Sequence, residues 1–63
     1  MKEEIKSIAK KLFEKYPEIV DPTILKDHEM LEFLKKAGLN SDFSDYELIM
    51  IRIYWANLIF WEK

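Results

Sequence analysis

The sequence predicts a small all-α fold, a three-helix bundle with its C-terminal helix at the centre. Three observations lead there. Apolar residues recur at helical spacing in the first quarter and again in the middle of the chain. A proline and a glycine punctuate the chain where those patterns end. The last third, from Tyr46 to Trp61, is apolar at 13 of 16 positions, the exceptions being Glu47, Arg52 and Asn57. A helix apolar on nearly every side needs cover all round, from its own chain, a partner or a lipid surface.

The first helix is expected over 2–16. Ile5, Ile8, Ala9, Leu12, Phe13 and Tyr16 fall at i, i+3, i+4, i+7, i+8 and i+11, a single stripe. Acids come early and lysines late, as the helix dipole favours. Pro17 ends the helix, because the residue before a proline is pushed out of helical geometry. In 17–26, Asp21 followed by Pro22 is a cap followed by a residue suited to a first helical turn. Ile19, Val20, Ile24 and Leu25 are too many apolar residues for a purely solvated loop, so some should plug the core.

The second helix is expected over 27–37 with Asp27 as its N-cap, or as one helix running on from Pro22. Met30, Phe33, Leu34 and Ala37 supply the stripe, with Leu31 beside them. Gly38 suits the left-handed residue after the helix, and Leu39 the apolar contact that accompanies it. The third helix is expected over 45–62. Ser44 and Glu47 make a capping box, and Phe43 and Leu48 occupy the two hydrophobic-staple positions.

At 100° per residue the third helix shows two broad stripes. Ala56, Ile49, Phe60, Ile53 and Tyr46 form one; Leu58, Ile51, Trp55, Leu48 and Ile59 form the other. Two short helices can cover two stripes, which makes Trp55 and Phe60 core residues. The strip between them, Met50, Tyr54 and Trp61, is then the surplus. Arg52 is expected to snorkel to solvent or pair with Asp45 or another acid.

Sixty-three residues make one domain, and at that size the core is marginal without help. There is no cysteine, which removes disulfides and thiolate metal sites. Charged residues at 35% keep the chain soluble, while 49% apolar content is too high for disorder. A formal net charge of −2 argues against nucleic acid as a partner, since phosphate binding needs a concentrated positive surface. The charged Met1-Lys2-Glu3-Glu4 start has no apolar signal-peptide core, so a cytoplasmic location is expected. A membrane role is not expected: the apolar stretch falls short of the ~20 residues a span needs, and it lacks a basic interfacial face.

Chemistry-bearing constellations are sparse. His28 and Glu32 are an i, i+4 pair, two ligands where a metal site needs three or four, so no metal is expected. One histidine and no cysteine leave little for a nucleophile–base pair, and Ser44 is explained as a cap. Gly38 is the only glycine, so there is no phosphate loop and no cofactor is expected. A helix-turn-helix reader would need basic and polar side chains facing outward from its last helix, where this chain has isoleucine and tryptophan.

These features point to a non-enzymatic protein-interaction module. It is expected to bind a partner protein or itself through the last helix, with Tyr46, Met50, Tyr54 and Trp61 as anchors and Asn57 and Ile53 alongside. Tyrosine, tryptophan and arginine are the usual interface anchors. The regular Lys/Glu pattern of the first helix also suits an engineered binder. A second reading comes from Gly38-Leu39-Asn40-Ser41-Asp42-Phe43 and the following Glu47-Leu48-Ile49-Met50. About a dozen residues there resemble the Asp-Ser-Leu region and following helix of acyl carrier proteins, whose serine carries phosphopantetheine. In register Asp42 stands at the serine position and Ser41 is one residue away. The resemblance implies a small carrier-like or enzyme-associated subunit.

Overall fold

The structure is a computed structural model and describes residues 2–62. Its elements are α1 (Lys2–Lys15), a single 3₁₀ turn η1 (Pro22–Ile24), α2 (Asp27–Lys36) and α3 (Asp45–Glu62). Among the described residues there is no strand, and α3 contacts α1, η1 and α2. It is the central element of a three-helix bundle. Eighteen residues at about 1.5 Å rise make α3 roughly 27 Å long, close to the 29 Å longest dimension of the molecule.

The boundaries follow from local chemistry. Tyr16 N–H still reaches the Leu12 carbonyl at 2.9 Å, and Ile19 N–H closes a turn onto the Tyr16 carbonyl around Pro17. At η1 the Asp21 carboxylate accepts from Thr23 N–H at 3.1 Å, and Pro22 fills the first position, where a missing N–H costs nothing. The α2 helix closes in a Schellman motif. Leu39 N–H bonds the Leu34 carbonyl at 2.9 Å and Gly38 N–H the Lys35 carbonyl at 3.0 Å. Gly38 takes φ +73°, a conformation that L side chains resist.

The start of α2 differs from expectation. Lys26, not Asp27, is the N-cap, and Asp27 is the first helical residue. Lysine has no acceptor, so only the return half of a capping box exists: Lys26 N–H donates to Glu29 Oε1 at 2.8 Å. By contrast the box at α3 is complete. Ser44 N–H donates to Glu47 Oε1 at 2.9 Å, and Glu47 N–H to Ser44 Oγ at 3.2 Å.

The core gathers Ile5, Ile8, Ala9 and Leu12 from α1, Met30 and Leu34 from α2, and Leu48, Ile51 and Trp55 from α3. Pro22 of η1 is also fully buried. An aromatic chain joins the elements edge-to-face: Tyr16 meets Phe33 at 4.8 Å between ring centroids, and Phe33 meets Trp55 at 6.0 Å. Such pairs add roughly 0.5–1.5 kcal/mol each beyond their area. Within the connection, Ile19 and Leu25 pack on the core, whereas Val20 and Ile24 face outward.

Candidate functional site

The helix α3 is apolar nearly all round, so its own sequence gives no direction for burial. The direction comes from its neighbours. Each of α1 and α2 has one apolar stripe, and both stripes gain more by meeting in one shared core than by clasping α3 from opposite sides. They therefore lie on the same side of α3, over Leu48, Ile51 and Trp55, with Leu58 half-buried behind them. The Met50–Tyr54 edge is covered as well. Both residues are half-buried against the core, and Lys6 Nζ of α1 sits 5.7 Å from the Tyr54 ring centroid.

Opposite Met50 and Tyr54, Arg52 closes the other edge of the buried arc. Its side chain is only 13% exposed. The guanidinium donates to Asp27 Oδ1 at 2.8 Å and also to the Leu25 carbonyl, across 25 and 27 residues of chain. The partner acid is thus Asp27 rather than Asp45. Asp27 is about half exposed, so the ion pair itself is worth at most about 1 kcal/mol.

What remains uncovered is the first of the two stripes. Tyr46 is 69% exposed, Ile49 45%, Ile53 42% and Phe60 72%. Ala56 is half-buried and Asn57 exposed between them. This corrects the expectation that both stripes are covered and that Phe60 is core. It also relocates the surplus face. Of the six expected contact residues, Tyr46, Ile53 and Asn57 lie on the open face and Trp61, 77% exposed, on its far edge. Met50 and Tyr54 are half-buried against the core instead. Ile49 and Phe60 belong to the face too, whereas two opposed covers would have placed them on the core side.

The open face is bordered by the η1 segment, which supplies two further exposed apolar side chains, Val20 and Ile24. Two shallow grooves run between that segment and α3. One is lined by Thr23, Ile49, Arg52 and Ile53, the other by Val20, Asp21, Ala56, Asn57, Ile59 and Phe60. Phe60 and Trp61 stack edge-to-face with centroids 5.3 Å apart, both open to solvent. The surface offers shape and apolar area with few groups able to do chemistry. Asp21, the acid in the second groove, already spends its carboxylate on Thr23 N–H and Oγ.

The other sites considered stand apart from this face. His28 and Glu32 are exposed on α2, and no three metal-ligating side chains gather among the described residues. Ser41 is half-buried in the linker, three residues before the helix cap, and Asp42 N–H donates to Asn40 Oδ1 at 3.0 Å. Among the described residues no helix is long and apolar enough to cross a membrane. Compared with known proteins, the chain matches no family model, no curated protein and no solved structure.

Proposed function

We propose that this chain is a non-enzymatic protein-interaction module whose docking surface is the open face of α3. The single observation behind the proposal is the line of exposed apolar side chains Tyr46, Ile49, Ile53 and Phe60, flanked by Val20 and Ile24. With Trp61 at the edge, three aromatics and four aliphatics exposed on a 63-residue chain exceed scattered surface hydrophobics, which need no explanation. The face is continuous and carries aromatic anchors of the type that dominate binding energy. Its backing is rigid, since the reverse side of the same helix is the core. The occupant is a partner protein or a second copy of the chain.

The proposal is tested by titrating the protein with anilinonaphthalene sulfonate, a dye for open apolar surface, while following backbone amide shifts. Shifts should concentrate on Ile49, Ile53, Asn57 and Phe60 and at Val20. Shifts spread along α1 instead, or none at all, sink the docking surface.

A further inference from the structure

We infer that the occupant of the open α3 face is a second copy of this chain, packed α3 against α3 in antiparallel orientation about a two-fold axis near Ile53. The inference rests on the docking reading above and names its partner.

Spacing is the first argument. Tyr46, Ile49, Ile53, Ala56 and Phe60 follow one another at steps of three, four, three and four. That is the a/d seam of a coiled coil, the pattern by which one helix packs along another helix of the same kind. The buried side of α3 repeats it with Leu48, Ile51, Trp55 and Leu58, and there it meets helices. One helix therefore carries two seams, one used inside the fold and one left open.

Charge is the second. No residue of the outer seam is ionisable near neutral pH, and Arg52 beside it is turned away to Leu25 and Asp27. A foreign charged helix would find nothing to select it, whereas two copies bring no like charges together across the seam. Charge also sets the orientation. Asp45 lies in the first turn of α3 beside the outer seam, so parallel packing would bring the Asp45 carboxylates of the two copies together. Antiparallel packing separates them and opposes the helix dipoles.

Shape agrees with that orientation. The two bulky seam residues, Tyr46 and Phe60, stand at opposite ends with aliphatic and small residues between them. A two-fold near Ile53 sets Ile53 against its own copy, brings Ile49 beside Ala56 of the other chain, and pairs Tyr46 with Phe60 at both ends of the seam. Area closes the argument. With aromatics at 150–250 Å² each, the seam, Trp61, Val20 and Ile24 together expose roughly 800 Å², what one partner buries in a standard interface.

The test is sedimentation equilibrium on the intact chain from micromolar to millimolar concentration. The expected mass rises from 7.7 kDa to twice that, and Ile53→Gln returns it to monomer with unchanged helicity by circular dichroism. Phe60→Ser, nearer the helix end, serves the same purpose should Ile53→Gln lower helicity. A dimer that survives both variants uses another surface and overturns the inference. Orientation is read in the cysteine-free background by mixing Ile49→Cys and Ala56→Cys chains. The 49–56 disulfide should form faster than 49–49 or 56–56, and a dominant 56–56 product overturns the antiparallel arrangement. A chain that stays monomeric at millimolar concentration refutes self-docking; the docking surface then stands if the dye shifts still map to Ile49, Ile53 and Phe60, and falls if they do not.

Discussion

Arg52 in α3 holds Asp27, the first residue of α2, through an N–O contact of 2.8 Å, and with the same guanidinium it caps the Leu25 carbonyl. One side chain thus ties the last helix to the end of η1 and the start of α2. The two ends of the bond differ in worth. Asp27 is about half exposed, and its loss should cost little, about 0.5 kcal/mol. Removing Arg52 strips the carbonyl of its partner and the apolar surface of its stem, for about 1–2 kcal/mol. Urea denaturation of Asp27→Asn and Arg52→Ala should rank them in that order. Arg52→Lys should recover little, since one ammonium lacks the fork that reaches both acceptors. Equal losses for the two single variants would show that the ion pair, not the carbonyl bond, is what matters.

Of the starts of α2 and α3, the one capped by Lys26 is the weaker. The Lys26 N–H is already received by Glu29, but the lysine side chain has nothing to offer the helix in return. Lys26→Ser supplies the missing acceptor at a position whose backbone is already extended, φ −82° and ψ 164°. The variant should be more stable by about 0.5–1 kcal/mol. At α3, where both halves exist, Ser44→Ala should lose about 1 kcal/mol. A stability gain at Lys26 without a loss at Ser44, measured by thermal unfolding, would contradict the capping account.

Gly38 isolates a backbone effect. A Cβ placed there would meet nothing within 4 Å, yet φ is +73°. Gly38→Ala should therefore cost about 1–2 kcal/mol through conformation alone. Gly38→Asn, which tolerates that region better, should cost less. If alanine and asparagine cost the same, the penalty is not conformational.

These ends of helices were legible in the sequence because each is decided within a few residues. Ser44 and Glu47, Asp21 and Pro22, and Gly38 with Leu39 all act where they were read. The stripes of α1 and α2 were legible for a related reason: polar residues mark what stays out. The orientation of α3 was not. With isoleucine, tyrosine and tryptophan on every side, its wheel holds two equal stripes. The choice between them is made by Leu12, Met30 and Leu34, residues remote in sequence that converge on one side. The same gap hid the open face, since two opposed covers would bury Ile49 and Phe60 and leave Met50 and Tyr54 as the surplus. Lys26 is not legible as a cap, because nothing in lysine's chemistry signals one.

Trp55 supplies a test of interior polarity. It is fully buried, and its Nε1–H has no hydrogen-bond partner. A buried donor left without a partner costs about 1–3 kcal/mol. Exchanging the indole for benzothiophene, which keeps shape and removes the donor, should raise stability by about 1 kcal/mol or more. The substitution is made in a Trp61→Phe background, so that position 55 alone is exchanged, and stability is read by circular dichroism. Reduced stability in the benzothiophene chain would mean that the N–H is satisfied in solution.

The sharpest check on the orientation of α3 uses two isoleucines separated only by Arg52. Ile51 is fully buried and Ile53 is 42% exposed, although both are flanked by similar residues and share the same helix propensity. Ile51→Ala removes packed methyl groups and leaves a cavity, for about 2–5 kcal/mol. Ile53→Ala removes groups that already touch water, and its cost in a monomer should stay near 0.5 kcal/mol. Measured in urea at low micromolar concentration, the two values should differ by at least about 1.5 kcal/mol, given these ranges. Raising the protein concentration should widen the cost of Ile53→Ala alone, because only that side chain would be buried by a second copy. Near-equal costs at every concentration would mean that α3 presents a different side to the core.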